Sequence, residues 1–502
     1  MVKTITHSSF ESRFALTRSC MLAITALTPL KGKMEHHAEA APSTIDTPVR
    51  TIDTPARDIG EITAAPMPAH RLEWENRLLD GDALQKIATE VDGPFHVMYP
   101  ARIIENIQAF RTVFSNSGLT GSIYYGKKAN KSPCVIAACL AAGAGVDVAS
   151  VGELKSARAG GIAGADLMVT GPAKSDQLLA LAARENAVIA IDTAAELDRL
   201  ATIDRSARIV LRVLPDGSSS RFGMTETELD DAVRLAARAS IRMEGFSFHL
   251  GGYNAAARAD QAAKLIEKCV AARDLGHPAA TISIGGGFGV DYVPEDAWKT
   301  FCAQANPMWF HGCREPKVDS YYPYHFPVPG PGMLAAVLRH GNLTERLRAA
   351  GIRLAVEPGR ALLDGAGSTV FRIQGVKTRI AHGQPYDILT VNGSSLSLSE
   401  QWFDSEYLPD PVLWPKRPGD VTPTCVGGST CLEEDMLSWR RIPFPRPATT
   451  EDLLIYPNTA GYQMDSNESP FHELPIPPKV VLRSSPDGRQ FDWNLDTDDF
   501  TI

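Results

Sequence analysis

The chain has 502 residues, 44% hydrophobic and 22% charged, a composition ordinary for a folded protein and a length too great for one typical core. Its 50 basic and 59 acidic side chains leave a net charge of −9, which argues against a nucleic-acid partner because phosphate binding needs a basic face. The 8 cysteines are scattered with no CxxC pair, which suits neither a zinc site nor a disulfide framework and fits a reducing, cytoplasmic compartment.

Residues 1–70 are rich in Thr, Ala, Pro and Ser, repeat TIDTP at Thr44 and Thr51, and hold no apolar period, so they read as a flexible tail. The apolar run Cys20–Leu30 is about half of the roughly 20 residues that cross a bilayer, so no membrane span is expected. With Arg13 and Arg18 before it, the run imitates a signal-peptide core. The other readings are a poorly ordered leader, or a start placed too early with Met34 or Met67 as later starts. Residues 71–119 form a lead-in whose run PFHVMY (94–99) is expected to join a β domain further along the chain.

From residue 120 short apolar runs alternate with Ala/Leu/Arg-rich stretches of helical period. The runs are SIYYGKK (122–128), GVDVAS (145–150), LMVTG (167–171), VIAID (188–192), RIVLRV (208–213), GFSFHL (245–250), TISIGGG (281–287) and RLAVEPG (353–359). Helices are expected over 175–186, 227–239 and 259–276, with capping-box spacing at Ser150/Glu153 and Thr225/Glu228. Eight strands joined by helical connections predict an α/β protein with a (β/α)8 TIM-like barrel over 120–364, and a doubly wound open sheet is the alternative. The last connection is long and carries Tyr321-Tyr322-Pro323-Tyr324-His325-Phe326, which suits an active-site insertion. Beyond residue 365 the helical period fades, and residues 365–502 read as a separate all-β domain.

Reactive groups of such a barrel gather at the C-terminal ends of its strands. Those ends read Lys128, Asp147, Lys174, Asp192, Arg212, His249, Gly285-Gly286-Gly287, and Glu357 with Arg360. A lysine in a semi-buried mouth loses its proton readily and can form a Schiff base, whereas a lysine at an ordinary strand end points to solvent. Lys127 is expected to face away by strand alternation. A glycine triplet offers N–H groups to a phosphate or simply makes a tight turn. Glu-Pro-Gly-Arg sets a carboxylate and a guanidinium on one turn, suited to a pyridine nitrogen and a phosphate, or to a surface ion pair.

Together these residues resemble the fold-type III pyridoxal-phosphate decarboxylases, the family of ornithine and diaminopimelate decarboxylases, on the alanine-racemase-like barrel. The resemblance runs from about residue 93 to about 470 through KAN (128–130), GAGVDVASVGEL (143–154), SSRFGM (219–224), FHLGG (248–252), IGGGFG (284–289) and EPGR (357–360). GGSTCLEED (427–435) and AGYQM (460–464) are similar to the family's cysteine and tyrosine segments. The resemblance implies that Lys128 carries pyridoxal 5′-phosphate, His249 stacks on its ring, and Glu357 pairs with the ring nitrogen. Asp147 and Arg212 fall among the cofactor contacts, and Gly252, Gly285, Gly286, Gly287, Arg360 and Tyr462 hold the phosphate side. It further implies that Cys431 reaches in from a second subunit of a homodimer and protonates the α-carbon, with Asp435 and Glu433 as substrate contacts.

The chain departs from the pattern at three places. Leu432 follows the cysteine where the family has an acid, Gly393 stands for its second amine-binding aspartate, and Gly252 replaces the serine of FHxGS. The first two losses weaken the case for ornithine or lysine, unless Glu433, Asp404 or Glu406 substitutes. An amino-acid α-decarboxylase is therefore expected. A racemase on the same barrel and a non-catalytic relative that binds a partner are the alternatives.

Overall fold

The structure, a computed structural model, describes residues 62–399 and 406–497. Most of the expected tail, residues 1–61, and the candidate Asp404 lie outside the described residues. The tail reading fails at its C-terminal end, because Ile62, Ala64 and Met67 are buried. The Ala64 N–H donates to the Arg441 carbonyl (3.0 Å), and the Met67 N–H to the Asp410 carboxylate (2.7 Å).

A first strand, β1 (Phe95–Met98), precedes the barrel. The barrel strands are β2 (Gly121–Gly126), β3 (Gly145–Val148), β4 (Leu167–Val169) and β5 (Val188–Ile191), then β6 (Arg208–Arg212), β7 (Arg242–Ser247), β8 (Thr281–Ser283) and β9 (Arg353–Val356). All neighbours pair in parallel and β9 pairs with β2, closing the barrel and excluding the open sheet. β3, β4 and β5 are buried throughout, because helices cover one face and the barrel interior the other, so they read as continuous apolar runs. Tyr124, Met168, Val188, Ala190, Val210 and Ala355 form one buried cluster of barrel-strand side chains.

Side-chain caps start several of the helices. Thr225 and Glu228 make the full reciprocal box, whereas Ser150 accepts from the Glu153 N–H and the Glu153 carboxylate turns to the Ala149 N–H instead. The long connection between β8 and β9 holds three helices, Glu295–Gln304, Gly330–Arg339 and Leu343–Ala349.

The second domain is a mixed sheet built from β10 (Gly367–Ala381), β11 (Gln384–Val391), β12 (Val412–Trp414), β13 (Thr422–Gly427), β14 (Met436–Phe444), β15 (Leu453–Tyr456), β16 (Lys479–Ser484) and β17 (Phe491–Leu495). β1 enters it from the lead-in, antiparallel to β10 (Phe95 opposite Val370) and parallel to β16 (Val97 opposite Val480). The segment after β15 crosses to the barrel: the Tyr462 N–H donates to the Ala129 carbonyl (2.8 Å), and the Asn130 amide to the Ala460 carbonyl (2.9 Å). These bonds bring Tyr462 over the C-terminal end of β2.

Candidate active site

The strand β2 stops at Gly126, and Lys127–Ala129 form a 3-10 turn, not the strand end that the sequence predicts. The turn still separates the two lysines. Lys127 is buried, its Nζ donates to the Lys131 carbonyl (3.2 Å), and burial holds its ammonium below the usual lysine range. Lys128 lines two cavities of about 280 and 540 Å3, which share Asp147, His249 and Glu357 as walls.

Two carboxylates meet there. Asp147 follows Val146 in β3 and accepts from the Thr170 hydroxyl (2.6 Å). Glu357 follows β9 and accepts from the Ser283 hydroxyl. Burial, then the charge of Glu357, pushes the Asp147 carboxyl up to about 8, and burial raises Glu357 as well. Two carboxyls kept protonated by burial and by each other gain from a cationic partner, such as a protonated ring nitrogen. His249 faces the same space; the enclosing mouth, with Lys128, Arg258 and Arg212 near it, pushes its imidazole down to about 4. The ring is therefore neutral at physiological pH.

Other walls of the smaller cavity suit an anion. Gly286 and Gly287 line it beside Arg360 and Tyr462. A Cβ on Gly286 would stand 2.7 Å from the Glu357 carbonyl, and one on Gly287 2.1 Å from the Arg258 Nη2, so only glycine fits either position. Gly285 serves packing, since its Cβ would stand 2.8 Å from the His249 Nδ1. Arg360 lies 4.2 Å from the ring centre of Tyr322 and 4.9 Å from that of Tyr462, and donates to the Tyr292 hydroxyl (3.2 Å). The insertion thus grips a residue of the mouth through Tyr292 and Tyr322. Tyr462 holds φ at 77°, a strained value for a non-glycine residue.

Other expected residues go elsewhere. Lys174 does not face the mouth: it is buried, paired with Glu196 at 3.2 Å, and donates to the Gly171 and Ala190 carbonyls. Asp192 accepts from the Gly223 N–H (2.9 Å), and Arg212 lies 3.9 Å from it while lining the larger cavity. Gly252 lines neither cavity; its carbonyl accepts from Arg258. Asp435, expected as a substrate contact, is buried and ties its own loop to the turn at Ser395 by accepting from the Thr430 and Ser395 N–H groups (3.1 and 2.8 Å). Glu406 is buried within 3.3 Å of the Arg440 N–H, away from both cavities, so it does not substitute for the missing acids. Gly393 has no room for an aspartate, because a Cβ would stand 2.5 Å from the Phe371 ring. Cys431 and Glu433 are exposed on the loop between β13 and β14, with the Cys431 thiol 3.3 Å from the His472 Nε2.

Thr170, Ser283 and Arg258 were not expected. Thr170 was readable as the polar residue closing LMVTG beside GVDVAS, and Ser283 as the residue two before the glycines. Arg258 had no such signal.

Residues 100–309 match the model of the pyridoxal-dependent decarboxylase family, pyridoxal binding domain. The chain is 37% identical over 424 residues to y4yA, an uncharacterized protein of Sinorhizobium fredii, covering 82% of this chain and 92% of that one. It is 23% identical to the diaminopimelate decarboxylase of Bacillus methanolicus, over 80% of this chain and 90% of the relative. The crystal structure of the diaminopimelate decarboxylase of M. jannaschii in co-complex with L-lysine shares the fold, with a TM-score of 0.65 at 16% identity over 82% of this chain and 90% of that one. Paired carboxylates and a glycine–arginine–tyrosine cradle lining one cavity fit the ring nitrogen and the phosphate of pyridoxal 5′-phosphate. The chain belongs to the fold-type III pyridoxal-phosphate-dependent decarboxylases.

Proposed function

We propose that the protein removes the α-carboxylate of an amino acid or amino-acid derivative, acting as a homodimer in a reducing, cytoplasmic compartment. The observation that carries this reading is the convergence of one lysine, two raised carboxylates and a phosphate cradle on a single barrel mouth. When bound, the cofactor supplies the electron sink that makes loss of CO2 from the α-carbon feasible. Lys128 would hold the cofactor through its amine until a substrate amine displaces it, which frees the lysine amine. Glu357, with Asp147 beside it, would keep a proton on the ring nitrogen, and His249 would lie against the ring. Arg212 adds a positive charge to the same mouth. Gly286, Gly287, Arg360 and Tyr462 hold the phosphate, so the ligand is fixed at both ends before substrate arrives.

Cys431 of the partner subunit returns a proton to the α-carbon, with His472 beside it as the group that reloads the thiol. Support for the shared site is that Cys431 is exposed, carries an imidazole partner, and lines neither cavity of its own chain. Seven cysteines stand free among the described residues, which supports the reducing compartment. The substrate carries no distal ammonium of the ornithine or lysine kind. Gly393 excludes an aspartate by packing, Leu432 is apolar, and Glu406 is buried elsewhere.

The test is an absorbance spectrum of the purified protein with pyridoxal phosphate, followed by a screen for CO2 release over D- and L-amino acids. A band near ~420 nm with CO2 from one substrate supports the reading. A band with racemisation and no CO2 replaces it with the racemase reading. Ornithine or lysine as the best substrate overturns the specificity.

A further inference from the structure

Arg258 is 0% exposed, and no carboxylate pairs with it among the described residues. It projects from the first turn of the helix Ala255–Asp274. Its Nη2 donates to the carbonyls of Leu250 (2.9 Å), Gly252 (3.0 Å) and Gly286 (3.2 Å), while Nε and Nη1 are buried without a partner. A buried guanidinium with two unsatisfied nitrogens is costly, and such charges are kept where an anion completes them. Burial already pushes this guanidinium down to about 10, with only the Tyr253 phenol opposing.

Its position gives the cost a purpose. The three carbonyls come from two loops, FHLGG and GGGFG, that both contribute walls to the smaller cavity through His249, Gly286 and Gly287. A trans peptide sets the Gly287 N–H opposite the Gly286 carbonyl, so this N–H can face a phosphate only while that carbonyl is held back, and Arg258 holds it. Gly287 can approach the guanidinium this closely only because it lacks a Cβ, which would stand 2.1 Å from Nη2.

We propose that Arg258 is a positioning residue for the cofactor phosphate: it clamps the two glycine loops from behind and adds a full positive charge beneath them. This rests on the reading that places the phosphate at Gly286 and Gly287. Gly252 stands where the family has a phosphate-binding serine, and Arg258 braces that same loop. A buried charge behind the loop replaces a hydroxyl in front of it.

The experiment compares equilibrium binding of pyridoxal phosphate and of pyridoxal, which lacks the phosphate, to the wild-type apoprotein, R258M and R258K. Binding is read from the visible band and by dialysis, so the result does not depend on any decarboxylation activity. R258M should weaken pyridoxal phosphate on the order of 10- to 100-fold, the size of a lost charge-assisted contact, and leave pyridoxal within about twofold. R258K, which keeps the charge, should recover at least half of that loss on a logarithmic scale. Equal weakening of both ligands makes Arg258 a purely structural clamp and overturns the proposal, as does unchanged phosphate affinity. If R258M does not fold, R258Q replaces it in the same two-ligand comparison, with the same outcomes for and against the proposal. Loss of pyridoxal phosphate binding in the wild type itself would instead sink the reading of the site.

Discussion

The barrel mouth and the Cys431 loop carry the two halves of the expected chemistry, and they are built in opposite ways. The mouth is set on strand ends and short turns, over a core whose residues are mostly fully buried, and tied to the β domain through Tyr462 and Asn130. The loop 428–435 stands at the surface, shaped by Asp435 accepting from its backbone, with Cys431 exposed at its tip. A cofactor needs atoms fixed within about half an ångström, which rigid elements supply, whereas a proton donor can be delivered by a second chain. Cofactor affinity should therefore belong to one chain and turnover to two.

The most severe break of that division is Lys128→Ala. CO2 release should fall by at least about 1000-fold, and the visible absorbance of bound cofactor should vanish. Retention of the band would mean that another amine, Lys127 included, carries the cofactor. Cys431→Ala should cut turnover by about 100-fold while cofactor affinity stays within about twofold. Mixing the two inactive variants sharpens the comparison further. Random subunit exchange puts half the chains into mixed dimers, each with one intact shared site, so about a quarter of wild-type activity should return. No recovery after confirmed exchange would place Cys431 in its own chain's chemistry or outside it.

The third prediction bears on specificity. Gly393→Asp would set a carboxylate against Phe371 in a buried position, and should cost about 2–4 kcal/mol in denaturant unfolding. Phe371→Ala is destabilising in its own right, but in that background, with the ring gone, Gly393→Asp should cost less than it does in the wild type. If Gly393→Asp is neutral on its own, the missing aspartate reflects substrate choice and not packing.

How far the sequence foretold all this varies with the reach of the interactions. The barrel strands were legible because parallel strands buried on both faces become unbroken apolar runs ended by polar or glycine residues, as in VIAID and RIVLRV. Asp147, Glu357 and Arg360 were legible as strand-end residues, and the structure brings all three to one cavity. Lys174 looked equivalent, but its partner Glu196 lies a helix and a strand further on, and such a long-range pair leaves no local mark. The burial of Asp435 was unreadable for a similar reason: its backbone partner Ser395 lies in another part of the β domain. Arg258 sits in the Ala-rich stretch AAARADQAAK, where an arginine looks like any solvated helical charge.

The smallest expected effect concerns the apoprotein's response to pH. Asp147 has an ordinary value of 3.8 and is raised to about 8 in the fold, by burial first and by Glu357 second. The folded state therefore holds its proton over a range where the unfolded chain has released it. Stability from this group is full below about pH 4, declines as the pH rises, and is gone above about pH 8. Asp147→Asn removes the proton exchange and also relieves Glu357 of a like charge. The difference in unfolding free energy between wild type and D147N should thus shift against the wild type from pH 4 to 8 and then level. Other raised carboxyls, such as Glu75 and Glu406, at about 7 each, are present in both proteins and cancel in the difference. Saturating pyridoxal phosphate should flatten the slope, because a protonated ring nitrogen beside the two carboxylates favours their charged forms. Parallel stability curves for the two apoproteins would mean that the mouth is wet enough to keep Asp147 ionised without a cofactor.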